Sequence, residues 1–208
     1  MTKTINMDRI FARNVPGTRQ ILSRKTVGLA GCGGTGSNAA VALARAGVGR
    51  LILTDCDVVD HSNLNRQYYF LEDVGKQKAE TLAHRLKQIN PRLTVEAHLV
   101  EVSPANVYDL FKEADLLIEA FDRAESKQWL IETWCRRFPG RPIVCGSGLS
   151  GCGSTGSLKV RRSGQIVVCG DETTDMSMGL ISARVAIVAN MQANEAIALL
   201  LSQKKEAT

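Results

Sequence analysis

The sequence predicts an α/β fold with a doubly wound, mostly parallel sheet, on three observations. Short apolar runs bounded by turn residues, at 26–30, 50–54, 94–100, 115–120 and 142–146, read as strands, with helix patterns between most of them. The first strand runs into Gly31-Cys32-Gly33-Gly34-Thr35-Gly36 and then a small-residue helix pattern from Ser37. The second strand ends in Asp55, about 20 residues past the last glycine. Strand, glycine turn, helix, strand and acid in that order make the arrangement Rossmann-like. There the free N–H groups and the helix dipole face the phosphates of a nucleotide, and the acid takes its ribose hydroxyls. Gly31, Gly33, Gly34, Gly36 and Asp55 are therefore the first cofactor-binding candidates. They do not choose between nucleotides.

Along the chain, residues 6–24 read as an interrupted helical segment, with pieces at 8–13 and 18–24 around the break Asn14-Val15-Pro16-Gly17. A helix is expected over 37–46, ended by the glycines at 47 and 49. Residues 55–75 hold Asp57, Asp60, His61, Asn63, Asn65, Arg66 and Gln67 with no helix or strand period. A long polar segment after a strand is where open α/β sheets place ligands. Residues 76–90 read as an amphipathic helix with Ala79, Leu82, Ala83, Leu86 and Ile89 on one face, ended by Pro91. A short helix over 104–112 is expected to take Ser103 as its cap and Pro104 as its first residue. Asp122 lies just past the strand at 115–120. The helix at 125–138 spaces Trp129, Leu130, Thr133, Trp134 and Phe138 for a core face. Residues 157–162 and 165–169, joined by Ser163-Gly164, read as an antiparallel hairpin extending the sheet. A polar loop at 170–178 precedes a long C-terminal helix at 180–201, apolar on most sides, which needs cover from the sheet or from a second subunit. The expectation is a single domain, 1–208, with a helical arm (1–25), a nucleotide-binding core (26–147) and an antiparallel extension with the last helix (148–208).

Composition narrows the classes. Of 208 residues, 44% are hydrophobic and 23% charged, which suits a soluble domain with a substantial core. The net charge of +5 is spread without a long run, and no basic-aromatic patch calls for nucleic acid. Residues 1–9 lack the apolar centre of a signal peptide. Arg184, Asn190, Gln192, Asn194 and Glu195 argue against a bilayer span at 180–201. The six cysteines (32, 56, 135, 145, 152 and 169) form no Cys-x-x-Cys pair. No zinc, no disulfide framework, no membrane and a cytoplasmic setting are the expectations.

The residues beyond Asp55 add a more specific pattern. Asp55-x-Asp57 is followed by Ser62-Asn63-Leu64-Asn65-Arg66-Gln67, by Val74-Gly75-Lys76-Gln77-Lys78, and by Asp122 after a strand. With the glycine turn, this resembles the ThiF/MoeB/HesA superfamily, whose members are similar to the adenylation domain of ubiquitin-activating enzymes. The likeness spans roughly residues 10–202 and is greatest to the compact ThiF branch. It implies ATP-dependent adenylation of the C-terminal glycine of a small ubiquitin-like sulfur carrier, ThiS-like and tied to thiamine synthesis. It also implies a homodimer, and a cysteine desulfurase as a further partner.

By that resemblance Arg66 and Lys78 hold the phosphates and Asn63 and Gln67 help place them. Asp55 takes the ribose, Asp57 stands near the polyphosphate and metal, and Asp122 binds Mg²⁺. An N-terminal arginine reaches the ATP of the other subunit. Arg13 and Arg19 compete for this role, and Arg13 is preferred because 18–24 leads directly into the first strand. Attack of a carboxylate on the α-phosphate needs positioning and charge cancellation more than covalent help, which suits these groups. Cys169 reads as a buried strand cysteine rather than a sulfur carrier, and His61 is left without a role. Alternatives are an NAD-dependent oxidoreductase, a non-catalytic binding module, or a same-family enzyme acting on a molybdopterin-type carrier or a tRNA carboxylate.

Overall fold

The structure, a computed structural model, describes residues 7–202. Two short helices, α1 (Met7–Ile10) and α2 (Thr18–Leu22), precede the sheet. β1 (Thr26–Ala30) leads through the glycine turn into α3 (Gly34–Ala46) and β2 (Arg50–Thr54). α4 (Lys78–Ile89), β3 (Thr94–His98), α5 (Val107–Phe111), β4 (Leu116–Glu119), α6 (Ala124–Arg137) and β5 (Ile143–Gly146) continue the alternation. β6 (Lys159–Ser163), β7 (Ile166–Gly170) and α7 (Ser182–Ser202) complete it.

The seven strands lie in the order β3-β2-β1-β4-β5-β7-β6. The chain builds outward from β1 to β3, then returns to place β4 on the other side of β1. The order therefore reverses between β1 and β4, and the crevice beyond their carboxyl ends is where such sheets bind ligands. The expected hairpin forms, but its inner strand β7 runs parallel to β5, so among the described strands of the sheet antiparallel pairing joins β6 and β7 only.

Alternate strand residues feed two cores, as the period of two requires. Leu29, Leu51, Leu53, Ile118 and Val144 face one, with side chains of α3, α4 and α7. Ala30, Ile52, Leu117, Ile143 and Cys145 face the other, where Phe111 of α5 and Trp134 of α6 are wholly buried. Each fully buried large side chain contributes roughly 1.5–3 kcal/mol, so the two layers together hold the helices on both faces.

Boundaries shift where side chains cap. α5 starts at Val107, not Pro104, because Asn106 accepts the Ser103 N–H at 2.8 Å and donates to the Glu101 carbonyl at 2.9 Å. That closes a turn ahead of the helix and displaces the proline-first start. α3 begins at Gly34, inside the glycine turn, three residues before the expected start.

α7 is long and apolar enough to cross a bilayer by length and composition alone. Here Val188, Ala189, Ala193, Ala196 and Leu200 are buried against the first core, so the sheet and α3 supply the cover on that side. Its entry is tied down by a buried ion pair. Arg184 pairs with Asp171 and donates to the Gly153 carbonyl at 2.6 Å. Asp171 also accepts the Thr173 and Thr174 N–H groups, each at 2.8 Å. Burial opposes ionisation of Asp171, but these amides, the Thr174 hydroxyl and Arg184 outweigh it and hold the carboxyl well below the usual range. A depressed native pKa stabilises the fold above the unfolded value of about 3.9 and loses that contribution as pH falls below it. The wild-type unfolding midpoint is therefore expected to drop between about pH 5 and pH 2. Asp171→Asn should cost about 3–5 kcal/mol at pH 7 and show a smaller further drop in acid, by denaturant titration at both pH values.

Candidate active site

The glycine turn fits against the end of β4 only without side chains. Gly31 has φ 100° and donates its N–H to the Thr54 carbonyl at 3.0 Å. A Cβ there would stand 2.8 Å from the Ala120 carbonyl oxygen, and one on Gly36 would stand 2.0 Å from the Gly31 oxygen. The first N–H groups of α3 have no partner within the helix, and they carry its positive dipole end into the crevice between β1 and β4.

Asp55, at the end of β2, accepts the Cys32 N–H on Oδ2 at 2.7 Å and the Asp57 N–H on Oδ1 at 2.8 Å. Each oxygen keeps a lone pair for a hydroxyl. Burial pushes this carboxyl up, against the two amides and Lys78, which favour the carboxylate. Lys78, at the start of α4, is buried and pairs through Nζ with Asp57 Oδ2 at 2.8 Å. The pair is lopsided, with the lysine side chain 8% exposed and the aspartate 65%. Tyr69 holds the two halves of the site together, its buried hydroxyl lying 2.8 Å from the Cys32 carbonyl and 3.2 Å from that of Lys78.

The polar segment after β2 is a clamp. Asp60 accepts the Ser62 N–H at 2.8 Å and Asn63 Oδ1 accepts the Asp60 N–H at 3.0 Å, closing a 3₁₀ turn over His61–Asn63. The Asn63 carbonyl then takes the N–H groups of Arg66 and Gln67. Two residues of α3 fasten the segment: Asn38 donates to the Arg66 carbonyl at 2.9 Å, and the Ser37 hydroxyl accepts the Tyr68 N–H at 2.9 Å. Arg66 is thereby laid over Gly34, its Cγ 3.7 Å from where a Cβ would be. Its guanidinium donates to the Ser62 carbonyl at 3.0 Å and to Asn65 at 2.8 Å. Gln67 is buried beside Gly33, and its Oε1 has no hydrogen-bond partner among the described residues.

The sequence candidates thus divide. Gly31, Gly33, Gly34, Gly36, Asp55, Asp57, Arg66, Gln67 and Lys78 converge, and the Asn63 side chain builds the turn that carries Arg66 rather than facing the crevice itself. Asp122 is exposed in the loop after β4. Arg13 is not brought to the site of its own chain. Phe11 packs on Gly47 and Asn14 donates to the Ala46 carbonyl at 3.0 Å, so this segment sits at the far end of α3. A helix of 13 residues is about 20 Å long, beyond the reach of one arginine. Arg19 lies over the Phe11 ring at that same end. Burial pushes the Cys169 thiol up to about 12, which leaves it inert. Sequence reasoning missed Glu119, buried at the end of β4, and its half-buried partner Lys127 on α6, because nothing local marks a strand carboxylate as paired.

Among the described residues no group of three or more His, Cys, Asp or Glu could hold a metal. Asp55 is engaged by amides and Asp57 by Lys78, whereas Asp122, exposed after β4, has no hydrogen bond or ion pair among the described residues.

A profile of the ThiF family matches residues 6–208. The chain belongs to the ThiF family. It is 30% identical over 216 residues to the sulfur carrier protein ThiS adenylyltransferase of Bacillus subtilis, covering 99% of this chain and 63% of that one. It is 37% identical over 118 residues to the probable adenylyltransferase/sulfurtransferase MoeZ of Mycobacterium tuberculosis, covering 56% of this chain and 30% of that one. The chain therefore spans less than two thirds of the length of either relative. Its fold matches the E. coli tRNA N6-threonylcarbamoyladenosine dehydratase TcdA in complex with ATP, at a TM-score of 0.84 and 25% identity, over 96% of this chain and 95% of that one.

Proposed function

We propose that this ThiF-family chain adenylates the C-terminal glycine carboxylate of a small ubiquitin-like sulfur carrier, ThiS-like, using ATP and releasing pyrophosphate. The observation that carries this reading is the buried Lys78 ammonium placed with Arg66 around the glycine turn. A nicotinamide oxidoreductase has no use for two such cations at that place. The ThiS adenylyltransferase, matched along nearly the whole of this chain, supports the choice of carrier.

In this reading the ribose hydroxyls bind Asp55. The triphosphate lies on the first N–H groups of α3, with Arg66 and Lys78 on its oxygens. A carrier carboxylate oxygen attacks the α-phosphorus, the bond to the β-bridging oxygen breaks, and pyrophosphate leaves. The charge that builds on the α- and β-phosphate oxygens is met by the two cations, already in place before the step. Mg²⁺, where bound, neutralises phosphate charge. A single uncommitted carboxylate plus phosphate oxygens is a usual donor set for it, and Asp122 is the residue that fits. Arg13 can take part only from a second copy of the chain, so the reading includes a homodimer. A cytoplasmic setting, thiamine thiazole synthesis and a desulfurase that supplies the sulfur belong to the same proposal.

One observation favours a second reading, a tRNA-borne carboxylate. The fold matches that of the tRNA dehydratase TcdA in complex with ATP at a TM-score of 0.84 and 25% identity. Pyrophosphate exchange into ATP, measured with a carrier ending in Gly-Gly and separately with tRNA, decides. Exchange dependent on the carrier, with an AMP-carboxyl anhydride seen by mass spectrometry, is the expected result. Exchange with tRNA alone, or with neither, overturns the carrier reading.

A further inference from the structure

Glu119 ends β4 wholly buried, at the point where the sheet order reverses. Its Oε1 accepts the Phe121 N–H at 2.7 Å. Lys127, on α6, donates to both carboxylate oxygens at 2.9 and 3.0 Å and to the Gly146 carbonyl at the end of β5, at 3.0 Å. Gln192 of α7, also wholly buried, donates to the Glu119 carbonyl at 3.0 Å. The ends of β4 and β5 are thus tied to α6 and α7. The segment between the paired residues includes Ala120, which abuts Gly31 and Gly36, and Asp122.

We infer that Glu119 and Lys127 are positioning residues that set the direction of the loop carrying Asp122 against the glycine turn. The role given to Asp122 rests on the adenylation reading; the control of the loop does not. An ion pair with a buried carboxylate is weak ground for stability, because well-packed apolar residues of similar volume often do as well or better. An apolar pair would not hold the Phe121 N–H, nor join the end of β5 to α6. The pair therefore gives a fixed path to 120–123, which a site that must meet a nucleotide within a fraction of an ångström requires.

The test is the double variant Glu119→Leu/Lys127→Met, compared with the conservative Lys127→Arg. Expected for the double variant is an unchanged or higher melting midpoint with at least roughly tenfold faster amide exchange at Phe121 and Asp122. Its pyrophosphate exchange should show kcat down about tenfold, KM for ATP within about twofold, and a raised Mg²⁺ requirement. Lys127→Arg should keep most of the wild-type behaviour in all four readouts. A folded double variant with wild-type loop protection overturns the inference, as does wild-type kcat and Mg²⁺ dependence. Should the double variant not fold, the same readouts on Glu119→Leu alone decide it, since Lys127 is 24% exposed and hydrates without its partner. Should the wild type itself catalyse no exchange, the adenylation reading fails while loop protection still judges the pair.

Discussion

Lys78→Ala is expected to lower carrier-dependent pyrophosphate exchange by about a hundredfold or more, the loss of one preorganised charge from a water-poor site being worth about 3 kcal/mol. The ammonium is buried, so its interaction with phosphate is little screened. The change also leaves Asp57 unpaired beside the polyphosphate, where its charge opposes binding. The fold should survive, because Asp57 is already 65% exposed and hydrates once its partner is gone. The backbone contacts of residue 78, to the Asp57 carbonyl and the Tyr69 hydroxyl, need no side chain. Arg66→Ala, at a half-buried position, should cost about tenfold under the same assay. Exchange at the wild-type rate in Lys78→Ala with an unchanged melting midpoint would remove this residue from the site.

Gly36→Ala should cost the fold about 3 kcal/mol and remove ATP binding, against the usual gain of about 1 kcal/mol when alanine replaces glycine within a helix. The new Cβ would stand 2.0 Å from the Gly31 carbonyl oxygen and 3.2 Å from the Ala120 Cβ. Neither the β1 turn nor the end of β4 can move away without disturbing the strands that carry them. Gly156→Ala is the control, since nothing lies within 4 Å of its added methyl. Denaturant titration and calorimetric ATP titration should find Gly156→Ala like the wild type and Gly36→Ala impaired in both. A Gly36→Ala protein as stable as wild type would mean that the turn is less tightly seated than these distances require.

Much of the architecture is written in local pattern. The strands at 26–30 and 50–54 stand where short apolar runs between turn residues put them. The helix with Trp134 and Phe138 on its buried side follows from a 3.6-residue period. The glycine turn, the acid after β2 and the Asn63–Arg66–Lys78 pattern are likewise contiguous or nearly so, and the structure gathers most of them. α5 is a counter-example: Ser103-Pro104 is a good local start, and a side chain two residues beyond the proline overrode it.

The chain alone therefore determined the element order, the turn that can cradle a phosphate and the cations available to it, because each depends on neighbours within a few residues. Strand order, the end of α3 on which Arg13 sits and the Glu119–Lys127 clamp were decided by tertiary structure alone. Each of those is a contact between distant segments, and its energy exists only once the sheet has brought the partners within hydrogen-bonding distance.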